Sequence, residues 1–266
     1  MAAVIPAHLV RDGAILEPPS ICCKGGDMRT FTWKPYPAVA VLLALTVFCA
    51  GTSLYLRYRT GTIVYNSLIW DIFLGWVPLM LSLIVLEWAR RKRSWSSRII
   101  LLTAGPAWFF FLPNASYLVT ELIHAFRYFK PNPFTTFWLH TDFWLSLISI
   151  FSTGLLGLLL FSLSLYIVHE LVSESVGRLY GWLGAGFTIA VSSVGIYIGR
   201  FIRWNSWDVL YEPQAIISDM LQIVTDERSG KFMLAFTLLV FVVQALMYIF
   251  FHTVVALGKG SSNRLS

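Results

Sequence analysis

The 266 residues are 57% hydrophobic and only 13% charged, with a mean hydropathy of +0.68, a balance that excludes an ordinary water-soluble domain. The formal net charge is +6, but the basic residues sit mostly beside long apolar runs, where they meet lipid headgroups; the charge speaks for a membrane surface and against nucleic acid. Three cysteines, Cys22, Cys23 and Cys49, have neither metal-ligand spacing nor a disulfide framework.

Residues 1–34 mix Pro6, Pro18, Pro19, Gly25 and Gly26 with scattered charges and lack an apolar period, which predicts a flexible cytoplasmic leader. No basic stretch there leads into an apolar run and a small-residue cleavage site, so the leader is not a signal peptide, and Met28 offers a second translation start. A transmembrane domain follows over 35–258, then a short cytoplasmic tail over 259–266. The expected fold is all-α, a polytopic helix bundle with spans at Pro37–Leu56, Leu68–Val85, Ile99–Leu118, Phe143–Val168, Trp182–Gly199 and Phe232–Leu257. Pro106 and Pro113 each remove a backbone donor from the third span, which should kink or break near Pro113.

Orientation follows from the basic residues between spans. With the N-terminus inside, the cytoplasmic segments carry twelve Lys and Arg against eight on the other side, and the run Ala89-Arg90-Arg91-Lys92-Arg93-Ser94 is the strongest single signal. Both termini are therefore expected in the cytoplasm, with the protein in a cytoplasmic membrane. Pro213 opens a further helix in the longest outer loop, with Ile216, Ile217, Met220, Leu221 and Val224 on one face, suited to the interface or to the bundle mouth.

Chemistry-bearing residues gather where these spans end. Asp71 lies about one turn inside the second span, a costly place for a carboxylate without a partner or water, and Arg200 or Arg203 is the expected partner. Asn114, Tyr117, Glu121 and His124 are spaced three, four and three apart, so a helix presents them on one face. Such a face wets an interfacial helix, and Glu121 with His124 also suits proton transfer or metal ligation. Asp142 opens the fourth span, either as a helix cap or as part of a site. Gly195 and Gly199 permit close helix approach, and Arg200, Arg203, Asn205 and Asp208 follow them. The arginines either snorkel to the interface or grip a phosphate or carboxylate through the guanidinium fork. His169, Glu170 and His252 fall elsewhere, and a lone membrane histidine is expected to be hydrogen-bonded within the bundle.

The stretches IWDIFLGWVPL, FLPNASYLVTELIH and GIYIGRFIRWNSWDVL resemble a bacterial multi-pass membrane family, the domain-of-unknown-function 1361 family, over roughly Leu56 to Phe251. The family pattern often has Asn at Asp71, Pro at Ser116 and Asp at Glu121; the first departure loosens the requirement that Asp71 ionise, and the last preserves a carboxylate. The resemblance implies the membrane fold and supplies no activity.

Three functions fit this pattern. The first is an outer-facing enzyme acting on a lipid or envelope intermediate, with His124, Glu121 and Asp142 catalytic and with Asp71, Asn114, Tyr117, Arg200, Arg203, Asn205 and Asp208 binding the substrate. The second is a transporter or anionic-ligand binder, and the third a scaffold held together by the same polar residues. The expected partners are membrane lipids, an anionic one above all; neither a metal nor a cofactor is specified by any motif.

Overall fold

The computed structural model describes residues 35–61, 64–91, 94–124, 136–204 and 211–265. The expected leader with Cys22, Cys23 and Met28, the loop residues Lys92 and Arg93, and the site candidates Asn205 and Asp208 lie outside the described residues.

The described chain is helical throughout: α1 (Tyr36–Thr60), α2 (Val64–Arg90), α3 (Trp95–Tyr117), α4 (Thr141–Ser175), α5 (Arg178–Tyr197), α6 (Pro213–Thr225) and α7 (Glu227–Leu265). All except α6 are long and apolar enough to cross a membrane, which gives six candidate spans. Their ends are set by local chemistry. Ser94 caps α3 by accepting a hydrogen bond from the Ser97 amide at 3.2 Å. Gly61, at φ 66°, closes α1 with its amide on the Arg57 carbonyl. Gly177, at φ 122°, makes the short joint between α4 and α5.

The helices overrun the hydrophobic windows read from the sequence. At 35 residues, α4 is about 50 Å long, well beyond the roughly 30 Å of hydrocarbon, so its polar ends project into the interfaces. The last helix likewise continues through 259–265, where the sequence suggested a tail.

Helix α4 is the axis of the bundle. It packs against α1, α2, α3, α5 and α7, and its buried side chains run from Phe143 to Leu171. Small polar residues tie the helices across apolar surroundings: Thr52 to Ser149 at 2.8 Å, Tyr65 to Ser146 at 2.8 Å, Trp76 to Thr46 at 3.0 Å and Trp108 to Ser164 at 2.8 Å. On α7, Gln244 donates to Ser116 at 2.5 Å and to Ser192 at 3.0 Å, and accepts from Ser193 at 2.9 Å. One amide thereby joins α3, α5 and α7.

The third span changes character near its end, but beyond Pro113 rather than at the break expected there. The α-helix continues past Pro113 to Tyr117 and then tightens into a 3-10 helix, Leu118–His124. Thr120 donates to the Tyr117 carbonyl at 2.7 Å, competing for an acceptor that an α-helix would use. This corner sits in a cradle of glycines. A Cβ on Gly75 of α2 would meet Leu118 Cδ1 at 3.0 Å, one on Gly154 of α4 would meet Val119 Cα at 3.3 Å, and one on Gly157 would collide with the Ala115 carbonyl. Backbone therefore approaches backbone here, and the next residues along, Glu121 and His124, are held at a fixed height.

Candidate functional site

Six residues named from the sequence come to one end of the bundle, at the start of α2 and the finish of α3 and α5. Glu121 is at the centre, with only 3% of its side chain exposed. Its Oε1 accepts from Arg200 Nη1 at 2.7 Å, and its Oε2 lies 2.7 Å from His124 Nδ1. A 3-10 helix has three residues per turn, so Glu121 and His124 stand one above the other. That alignment lets one carboxylate serve both partners.

Arg200 comes from an equally local distortion. Helix α5 finishes in a π-helical turn, Ile198–Ile202, and Arg203 follows at φ 69°, a left-handed conformation rare for a side chain of this size. The two glycines before Arg200 act as their spacing predicts. Gly195 rests on Pro113, where a Cβ would come within 3.1 Å of the ring, and Gly199 faces the Tyr117 ring. This close approach brings Arg200 Nη1 within 3.1 Å of the Tyr117 hydroxyl. Because that oxygen accepts from Arg200, the phenolic proton is left to donate elsewhere.

Asp71 enters from α2. Its charge lies within reach of Glu121, Arg200 and His124, but among the described residues it makes no ion pair, and neither arginine closes on it. Instead its side chain lines a cavity of about 380 Å³ that has α3 as its floor and α2 and α5 as its walls. Asp71, Asn114, Tyr117 and Trp204 occupy the end of this cavity nearest the helix termini. Leu74, Phe109, Phe110 and Val191 line the part that runs toward mid-span. Trp204 is fixed at the rim by its indole N–H, which donates to Asp219 of α6 at 2.9 Å. The extra-loop helix is thus tied to the cavity mouth, with Ile216 buried and Ile217, Leu221 and Val224 exposed.

Not every expected residue joins this group. Asp142 lies in the first turn of α4, at whose N-terminus His140 occupies the cap position without a side-chain cap, and it pairs with Arg59 of α1 at 3.4 Å. Arg203 is exposed beside Trp204. Among the described residues no three His, Cys, Asp or Glu side chains cluster closely enough to hold a metal ion.

One cluster was not foreseen. His169 of α4 and His252 of α7 stack at 5.5 Å between ring centroids at the opposite end of the bundle, with Trp182 of α5 edge-on to His169 at 4.7 Å. His169 Nδ1 bonds the Tyr248 hydroxyl, and Glu170 takes Lys259 at 3.2 Å. Only the apposition of α4 and α7 makes neighbours of residues 83 positions apart, and a histidine isolated within an apolar run gives no sign of it.

A six-span helical bundle with a polar, ion-paired end and a cavity descending from it defines a multi-pass membrane protein. The chain belongs to the family described as protein of unknown function, DUF1361, whose model matches residues 70–246. That match takes in Asp71, Glu121, His124 and Arg200. No curated protein and no solved structure matches the chain.

Proposed function

We propose that the protein lies in a bacterial cytoplasmic membrane with its Asp71 end outward, where it takes up an anionic lipid or lipid-linked envelope intermediate. The observation that carries this reading is the polarity gradient of the 380 Å³ cavity, polar at the helix ends and apolar toward mid-span. An amphiphile standing in the outer leaflet has the same gradient. Asp71, Asn114 and the Tyr117 hydroxyl suit the hydroxyls of a headgroup, while the aromatic pair Phe109 and Phe110 suits its chain. Arg200 is neutralised by Glu121, so Arg203, exposed and next in the chain to the rim residue Trp204, is the better guanidinium for a phosphate or carboxylate. The outward orientation rests on the basic run at residues 89–94, which favours the opposite end for the cytoplasm.

A catalytic reading has its own support in the Glu121–His124 contact. A buried carboxylate 2.7 Å from Nδ1 sets a negative charge against the imidazole, and Nε2 is the ring nitrogen left to carry a proton as a general base does. Asp71, at the cavity's polar end, is the other group able to accept a proton from a bound hydroxyl.

The test is lipid retention. Wild type, Leu74→Trp, which fills the apolar part of the cavity, and Arg203→Gln are purified in mild detergent, and bound lipids are counted by native mass spectrometry. Both variants are expected to lose an anionic species that wild type keeps, at unchanged thermal stability. Equal lipid profiles in all three proteins would defeat the proposal. Orientation is tested separately in intact cells, where an impermeant thiol reagent should label a cysteine at Leu139 and not one at Ser94; the reverse pattern inverts the topology.

A further inference from the structure

We propose that the end of the bundle opposite Asp71 holds a second binding site, for an ammonium–phosphate zwitterion of the ethanolamine phosphate type. A cavity of about 380 Å³ lies there between the finish of α4, the start of α5 and the latter part of α7. At about 30 Å³ per water it has room for roughly a dozen waters, or a small polar molecule.

Most ionisable groups lining this cavity already have partners. Lys259 is 3.2 Å from Glu170 and lies 5.4 Å over the Tyr166 ring, while His252 is 3.9 Å from Glu170 and His169 bonds Tyr248. Two groups of opposite sign do not. Glu174 Oε2 is buried without a hydrogen-bond partner among the described residues, as is the neighbouring Ser173 Oγ. Arg178, on the α5 side, makes no ion pair among the described residues.

These two charges do not neutralise each other. Both line the cavity, yet no ion pair joins them among the described residues. An orphan carboxylate oxygen in such a place is costly, and the group that satisfies it is a cation with N–H donors. An unpaired guanidinium across the same space fits a phosphate through its planar fork. One small molecule with an ammonium and a phosphate answers both, and Ser173 supplies a further hydrogen bond. The wall facing this space is kept thin by Gly181, since a Cβ there would strike Ser173 Oγ and come within 2.7 Å of the His169 ring. The same chemistry is available as the free compound or as a phospholipid headgroup.

The experiment uses the full chain in nanodiscs of phosphatidylglycerol, titrated calorimetrically with ethanolamine phosphate, ethanolamine and ethyl phosphate. A parallel arm measures retention of phosphatidylethanolamine from mixed-lipid discs. Ethanolamine phosphate is expected to bind at least tenfold more tightly than either half-molecule. Glu174→Gln, which keeps the shape of the side chain, should weaken it tenfold or more without changing ethyl phosphate binding. Arg178→Gln should act on the phosphate half, and Arg178→Lys, which keeps the charge, serves as the folded control. Binding confined to the lipid arm, with the same dependence on Glu174 and Arg178, identifies the headgroup as the source and supports the site. Absence of binding in both arms, or variants that bind as wild type does, overturns it.

Discussion

Replacing Glu121 by Gln should be the most damaging near-isosteric change in the protein. Its carboxylate is 3% exposed and lies 2.7 Å from both Arg200 and His124, with Arg200 itself 15% exposed. Removing one partner of so buried a pair leaves the guanidinium without compensation, which costs about 3 to 5 kcal/mol for complete loss of the partner. Glutamine keeps one acceptor, so about 3 kcal/mol is expected, more than a hundredfold in the unfolding equilibrium. Arg200→Gln should cost a similar amount, and the double variant only about 4 kcal/mol, because neither charge is then left alone; the coupling is about 2 kcal/mol. Reversible unfolding in bicelles, read by steric trapping, measures all four corners of the cycle. If Glu121→Gln costs less than about 0.5 kcal/mol and the coupling is near zero, water rather than Arg200 satisfies this carboxylate, and the reasoning fails.

Three further outcomes follow from the packing. Gly157→Ala drives a methyl into the Ala115 carbonyl and Leu118 Cβ, so a loss of about 1 to 3 kcal/mol is expected in the same unfolding assay. Gln244→Leu removes the amide that joins three helices and leaves Ser116, Ser192 and Ser193 to find other partners, at a cost of about 1 kcal/mol. Asp226 accepts from the Ser229 amide at 2.8 Å at the start of α7, and bonds from the Ser229 side chain and backbone hold its carboxyl below the usual carboxylate range. The cap's contribution is therefore complete above the unfolded pKa of about 3.9 and fades as pH falls through the lower folded value. The protection factor of the Ser229 amide should fall in that acidic window, and an unchanged protection factor in Asp226→Ala would remove the cap from the account.

The spans were legible because hydrocarbon demands about 20 apolar residues whatever the protein does. Their true ends were less so, since α4 and α7 continue as helices through polar residues that no hydropathy window registers. At the candidate site, the spacing of Asn114, Tyr117, Glu121 and His124 and the pair Gly195 and Gly199 carried real information, as each reports which face a helix turns to its neighbour. What the sequence lacked was lateral order. It could place Asp142 at a helix end but not beside Arg59, and it offered Arg200 to Asp71 when the 3-10 turn delivers Glu121 instead. The histidines on α4 and α7 were opaque for the same reason, because their meeting depends on which helices are neighbours around α4.

The π turn at Ile198–Ile202 has a consequence for the chain's tolerance of length change. Such a turn amounts to an α-helix with one surplus residue, so deleting Phe201 or Ile202, beyond Arg200, would restore regular helix at little local cost. The chain beyond would keep nearly its original angle, whereas adding a further residue would rotate it by about 100° around the helix axis. With the residue added, Trp204 would swing away from the cavity rim, and its tether to Asp219 would part. A single added residue here should therefore leave a protein that enters the membrane and folds while its mouth is dismantled, separating the bundle's stability from the geometry of its opening.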